Sequence, residues 1–484
     1  MRIAEIIVFI IYLIFLICIG VYFFMKSKSG GEKTYFLGGR QMGPWVSALS
    51  AGASDMSAWV LMGLPASIYA AGIGQAWIAI GLAIGYAVSW ILEAPRLRRF
   101  SIIADDSITI PQYLTNRFKS SSKSLQIVCA VIFIFAYTIY AASSMKACGT
   151  LFNTVIGINA QTAMYIAAAI IVAYTFLGGF SAVCWTDFFQ GLLMLAALLV
   201  APIFALGLIN AGKGAETAAQ LPAGYWSLFS SWQDIVSGLG WGLGYFGMPH
   251  IIVRFMAVRS DKELKKSAKI GIVWNVLILV FSVAAGCIGH MFMGEIEDSS
   301  TVFIQMVRLI FPGVISGILL SAILAASMST ADSQLLASAS AFASDVYKPV
   351  FRKNKATDQE MLWAGRFVVL AISIVAVIIA ANPNSGTIMG LVGNAWGVFG
   401  AAFGPAILLS LFWKRFNFPG AVAGILVGAI VDILWLAFLS GTGVYEIVPG
   451  FIVGLIAAVI VSLATKAPGK EVEELFDRAL SSTD

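Results

Sequence analysis

Charge is scarce in this chain. Of 484 residues, 11% are Asp, Glu, Lys or Arg, 59% are hydrophobic, and the mean hydropathy is +0.89. So few charges leave a water-facing surface uncovered at this length, which excludes an ordinary soluble enzyme. Histidine is scarcer still: His250 and His290 stand too far apart for a metal motif, and His250, next to Pro249, reads as a helix-end hydrogen bonder. The five cysteines (Cys18, Cys129, Cys148, Cys184, Cys287) lie in or beside apolar stretches with no CxxC spacing. They read as small core residues, not as disulfides or metal ligands. The net charge of +5 gathers in short loops, so it points to no nucleic acid.

Long apolar runs are what the chain has. Runs of about 20 residues lie near 4–25, 44–70, 75–95, 124–150, 161–179, 186–210, 231–252, 268–294, 313–340, 362–381, 388–412, 417–439 and 448–465. The expected class is an all-α polytopic membrane protein with about 13 transmembrane helices. The first run has no small-residue cleavage site after it and reads as a retained helix. Basic residues fall in alternate loops: Lys26, Lys28, Lys33 and Arg40; Arg96, Arg98, Arg99, Arg117, Lys119 and Lys123; Arg254, Arg259, Lys262, Lys265, Lys266 and Lys269; Lys348, Arg352, Lys353 and Lys355; Lys414 and Arg415. Such loops are cytoplasmic by the positive-inside rule. The N-terminus is then outside and the tail after Lys466 inside. The tail's amphipathic run, Val472 to Leu480, reads as a solvated helix, with no room for a catalytic or signalling domain.

Asp55 is out of place in such a chain. It lies within Ser50-Ala51-Gly52-Ala53-Ser54-Asp55-Met56-Ser57-Ala58-Trp59. A carboxylate at that depth costs roughly 2.5–3.5 kcal/mol on insertion scales, so it is expected to face a cation, a proton path or a polar partner. Small residues around it let the helix break, and freed carbonyls with hydroxyls make an oxygen-rich setting for a hard cation. A second interruption is Gly238-Leu239-Gly240-Trp241-Gly242-Leu243-Gly244-Tyr245-Phe246-Gly247-Met248-Pro249. Two broken spans about five helices apart point to a transporter of inverted repeats with a midplane site; small-residue packing is the plainer alternative. Trp241 and Tyr245, one turn apart, suit a small, partly apolar zwitterion. In Ala326-Ser327-Met328-Ser329-Thr330-Ala331-Asp332-Ser333, the residues Ala326, Ser329, Thr330 and Ser333 share a helix face. Their oxygens are placed to complete a cation shell begun at Asp55. Asp187 reads either as an N-terminal cap or as part of an ion path. Asp432 reads as a satisfied structural carboxylate or an oligomer contact.

These segments resemble the sodium/solute symporter family, and within it the sodium/proline symporter branch. The resemblance rests on Tyr35-Phe36-Leu37-Gly38-Gly39-Arg40, Leu49 to Pro65, Ile78-Ala79-Ile80-Gly81, Trp185-Thr186-Asp187, Gly240 to His250 with Arg254 to Ala257, Leu319 to Thr330, and Gly400 to Pro405. It covers nearly the whole chain. It implies the LeuT-type inverted-repeat fold. The expected layout is a first helix and loop (1–43), a ten-helix core (44–413, repeats about 44–210 and 231–413), two further helices (414–466) and a tail (467–484).

By matching position the resemblance also implies a co-transported Na+ held by Ala53, Met56 and Ala326 carbonyls and Ser57, Ser329 and Thr330 hydroxyls, with Asp55 lending charge. Asp187, Asp332 and Ser333 would form a second cation or coupling site. Tyr140, Trp241, Tyr245 and Pro249 would line the substrate, with Trp59 nearby. Met248 and Gln75 stand where that branch carries Gln and Glu. The implied activity is sodium-coupled import of L-proline across the cytoplasmic membrane, with no catalytic residues. Another small solute (a different amino acid, a compatible solute, pantothenate or sialic acid) or a solute-sensing role is the alternative. The partners are then the solute, sodium and the lipid bilayer, and the oligomeric state stays open, a monomer included.

Overall fold

A computed structural model describes residues 2–26, 32–177, 179–213, 221 and 223–482; Lys28, counted among the loop charges, lies outside them. Among the described residues the chain is helical, with one isolated bridge between Met42 and Val258. The helices are α1 (Ile3–Lys26), α2 (Glu32–Leu37), α3 (Pro44–Asp55), α4 (Gly63–Ala71), α5 (Ala76–Val88), α6 (Ala94–Ile103), α7 (Ile110–Arg117), α8 (Ser124–Ile156), α9 (Ala160–Leu177), α10 (Phe180–Asn210), α11 (Trp232–Gly240), α12 (Pro249–Ala257), α13 (Asp261–Met293), α14 (Val302–Ile310), α15 (Gly313–Ser340), α16 (Asp358–Ala381), α17 (Ile388–Phe412), α18 (Phe418–Phe438), α19 (Ile447–Ala464) and α20 (Lys470–Ser481).

Ten of the described helical segments are long and apolar enough to cross a membrane. Three more of the expected runs are present in other forms. Two are broken, α3 with α4 and α11 with α12, and α9 is a shorter apolar helix. α15 and α17 are the most enclosed of these ten. α15 packs on α3, α8, α10 and α1, and its polar residues from Ser327 to Gln334 are all buried. α18 and α19 lie against each other and against α17.

The loop charges are less solvated than their pattern suggests. The third run extends to Ile103 through a π turn at Ser89–Glu93, so Arg96, Arg98 and Arg99 stand on helix. Buried Arg98 donates to the carbonyls of Val258 and Arg259 and to Asp261, each at 2.9 Å. Arg40 binds Asp106 at 2.9 Å and also reaches Ser101, Ser107 O and Met256 O. Burial lowers the Arg40 pKa from its usual value and Asp106 pushes it back up. Arg117 donates to Val472 O at 3.3 Å. The basic loops after the first, third and seventh runs thus meet at one end of the bundle. The tail meets them there too: Val472, Leu475, Phe476 and Ala479 are buried against α6 and α7. The expectation of a solvated tail helix is therefore corrected; its apolar stripe has a partner.

Candidate functional site

The first break follows from local chemistry. Ser57 is extended (φ −68°, ψ −170°) and its hydroxyl accepts from Trp59 N–H, restarting the helix as a tight 3-10 turn. Ser57 N–H donates to Asp55 O at 2.9 Å instead of continuing the α pattern to Ala53 O. The freed Ala53 carbonyl accepts from Ser329 Oγ on α15 at 2.8 Å, and that hydroxyl also lies 3.2 Å from Ala326 O. Ala53, Ala326 and Ser329 are therefore brought together. Thr330 Oγ1, on the same helix, is buried with no hydrogen-bond partner among the described residues.

The second break comes at Met248 (φ −86°, ψ 102°), held extended because Pro249 follows and opens α12. The glycines before it tighten the chain into a 3-10 turn, Trp241–Phe246. Gly244 is required by close approach, since a Cβ there would lie 2.0 Å from Trp396 Nε1.

The two breaks meet at Asp55. Its carboxylate accepts from Tyr245 O–H at 2.5 Å, and its main-chain carbonyl accepts from Trp59 Nε1 at 3.2 Å and Tyr140 O–H at 3.3 Å. The other carboxylate oxygen has no partner among the described residues. Trp241 lies with its ring 6.5 Å from Trp59, 6.4 Å from Trp396 and 4.9 Å from Tyr445. Trp59, Tyr140, Trp241 and Tyr245 thus form one buried group around Asp55, and Met248 is buried at the break beside them. His250 behaves as expected at a helix start: its N–H donates to Tyr137 Oη at 2.9 Å and its ring nitrogen lies 3.1 Å from Ser54 O. Gln75 stands apart, in the half-buried turn Ile73–Gln75 between α4 and α5.

Asp187 does not cap a helix. α10 begins at Phe180, two turns earlier, and Asp187 is fully buried, so the capping alternative is overturned. Its carboxylate accepts from Ser50 Oγ at 2.6 Å and from Arg254 Nη2 at 3.1 Å. Arg254, counted above as a loop charge, is buried on α12 and also donates to Ser333 Oγ at 2.6 Å and Ser50 Oγ at 3.1 Å. Ser333 lies 3.4 Å from Asp332 Oδ1. Asp187 and Ser333 are therefore joined through a guanidinium, a cation supplied by the chain itself. Pro249 lines a small cavity next to this group with Phe180, Val253, Arg254 and Ser333.

Sequence reasoning missed Arg254, Ser50, Trp396 and Tyr445. For Arg254 a signal existed: an arginine one turn after His250, inside the segment that follows the second break. For Tyr445, remote in sequence and next to the start of α19, there was none.

Two interrupted helices meeting at a buried carboxylate, beside a hydroxyl-bearing helix in a bundle of helices long enough to span a membrane, are the architecture of a secondary transporter. The chain belongs to the sodium:solute symporter family, whose profile matches residues 35–428. It is 46% identical over 477 residues to the osmoregulated proline transporter OpuE of Bacillus subtilis (strain 168), covering 96% of each chain. It is 43% identical to the high-affinity proline transporter PutP of the same organism, covering 94% of this chain and 97% of that one. Among solved structures it resembles a Na+-coupled sialic acid symporter in a substrate-bound outward-open state, with a TM-score of 0.77 at 20% identity over 96% of this chain and 99% of the other. It also resembles Mhp1, a nucleobase-cation-symport-1 family transporter, with a TM-score of 0.58 at 14% identity over 92% and 98%. These likenesses show the LeuT-type fold. The protein is a multi-pass membrane symporter coupled to sodium, and not an enzyme.

Proposed function

We propose that this protein imports L-proline with sodium across the cytoplasmic membrane by alternating access. The observation that carries the reading is the convergence on Asp55 of Trp59, Tyr140 and Tyr245, with Trp241 beside them, in a chain 46% and 43% identical to two relatives named as proline transporters. In this reading Ala53, Met56 and Ala326 carbonyls and Ser57, Ser329 and Thr330 hydroxyls hold Na+ between α3 and α15. Asp55 supplies negative charge nearby while Tyr245 orients it. Aromatic faces of Trp59 and Trp241 take the apolar ring of the solute, and buried polar groups at the breaks take its charged ends.

Sodium at that position ties the broken helix to α15, where Ser329 Oγ now bonds the Ala53 carbonyl. One Na+ moving down a 100 mV potential supplies about 2.3 kcal/mol. Coupling is reciprocal, so sodium tightens solute binding and the solute tightens sodium binding by the same factor. Residues 44–413 form the transport core, as repeats 44–210 and 231–413, with 414–466 outside it; the end carrying Arg40, Arg98 and the tail is cytoplasmic. Asp187, Asp332 and Ser333 act as a coupling group in which Arg254 pairs with Asp187.

The test is radiolabelled L-proline uptake into proteoliposomes with and without an inward sodium gradient. Uptake that needs the gradient and collapses with a sodium ionophore supports the reading. Sodium-driven uptake of another solute, unaffected by excess proline, overturns the choice of cargo and puts Met248 first for mutation.

A further inference from the structure

A pair of carboxyl groups lies outside the proposed core. Asp432, on α18, is fully buried, and neither carboxylate oxygen has a hydrogen-bond partner among the described residues. That corrects the expectation of a partner-satisfied carboxylate, and its full burial within the chain leaves it out of reach of an oligomer contact. Glu446, just before α19, is nearly buried. Both converge on Gly397 of α17. The point where a Cβ on that glycine would sit is 2.8 Å from Asp432 Oδ1 and 3.3 Å from Glu446 Cγ. Gly450 lets α19 close over the other side, 3.1 Å from Asp432 Cβ by the same measure.

Among the described residues, no basic side chain pairs with them. From Phe416 to Thr465 the sequence has no Lys, Arg or His, and neither does α17, nor residues 231–248 of the second broken helix. The titratable groups on the elements packed there are Asp432, Glu446, Tyr445 and Tyr245, with Asp234 at the start of α11 bonded to Ser230 and Ser231. Two adjacent carboxylates in a dry helix contact cannot both stay ionised without a counterion.

We propose that Asp432 and Glu446 form a proton-binding site that links external pH to the Trp241 face of the substrate cluster. The link is short. Tyr445, next to Glu446, stacks on Trp241 at 4.9 Å and 27°, donates its hydroxyl to Gly393 O at 2.6 Å, and donates its N–H to Ser237 Oγ at 3.0 Å. Trp435 Nε1, on α18, holds Val444 O at 3.0 Å. With protons on the pair, α19 stays seated and Tyr445 backs Trp241. Loss of a proton puts negative charge into the contact between α17, α18 and α19, drives the start of α19 outwards and withdraws Tyr445. Proton binding stands independently of the proposed cargo; the effect on uptake rests on the proposed substrate cluster.

The test uses the full chain in lipid bilayers, as wild type and as Asp432→Asn and Glu446→Gln, the two variants being neutral mimics of the protonated form. Infrared difference spectra between about pH 6 and about pH 10 should show a protonated-carboxyl band lost on alkalinisation, since two adjacent carboxyl groups without a counterion share protons. Part of that band should be missing in each variant. Sodium-driven uptake by the wild type should show a solute half-saturation that rises by up to about tenfold per pH unit above the titration, and in Asp432→Asn this dependence should flatten. A band unchanged by both substitutions overturns the proton site, as does a response to sodium at fixed pH in the part of the band that the variants lack, which would make the ligand a metal cation. A wild-type pH profile retained in Asp432→Asn overturns the link to Trp241.

Discussion

Ser329 on α15 donates its hydroxyl to the main-chain carbonyl of Ala53, 2.8 Å away, at the point where the first broken helix loses its own ladder. That bond joins two elements 276 residues apart in the chain. A sodium ion ligated by both partners would replace it.

Ser329→Ala removes a hydroxyl assigned to both the bond and the ion. A hydroxyl oxygen on a cation is taken as comparable to a hydrogen bond to a charged group, about 1.5–3 kcal/mol. The sodium half-saturation should therefore rise by roughly ten- to a hundredfold, with smaller effects on the maximal rate and on folding. Adding Thr330→Ala should raise it further. Sodium titration of uptake, normalised to protein in the membrane, checks this; an unchanged half-saturation in the double variant would place the ion elsewhere.

Tyr245→Phe leaves the Asp55 carboxylate without its one hydrogen-bond donor among the described residues. The ring contacts with Tyr86 and Trp396, both at 5.1 Å, are kept. The expected loss is about 1.5–3 kcal/mol of solute or ion binding, read as a ten- to hundredfold weaker apparent affinity at normal expression. Trp241→Ala, by contrast, should weaken the solute and spare sodium-induced stabilisation of the solute-free protein. Thermal melts with and without sodium separate the two residues, and equal loss of sodium stabilisation in both variants would refute the division of roles.

How much of this was readable in the sequence depended on range. The break at Asp55 and the break before Pro249 were legible because small residues, an intramembrane carboxylate and a proline act locally. So was the helix face carrying Ala326, Ser329, Thr330 and Ser333. The destination of Arg254 was not, because charge alone does not tell a loop residue from one that reaches Asp187 and Ser333 across three helices. The extent of α10 was missed for a related reason: Phe180 to Trp185 is apolar enough to continue the helix, but Asp187 looked like its beginning. The tail misled because an amphipathic stripe shows what one face needs, not whether a partner exists.

The Arg254–Asp187 pair makes a stability prediction with a built-in control. Both side chains are buried, and the guanidinium also bonds Ser50 and Ser333. Removing one partner of such a pair costs about 3–5 kcal/mol, because the other charge is left unbalanced. Arg254→Ala should therefore lower the melting temperature in detergent markedly. Arg254→Ala with Asp187→Asn should recover part of the loss, since the carboxylate that faced the guanidinium is then neutral as well. If Asp187 also serves sodium coupling, the double variant will be stable yet poorly coupled, with uptake less dependent on the sodium gradient than in the wild type. A purely structural pair predicts restored stability and restored coupling together. If Arg254→Ala melts like the wild type, the ion pair is not formed in the resting protein, and Asp187 is free to meet a cation there without displacing an arginine.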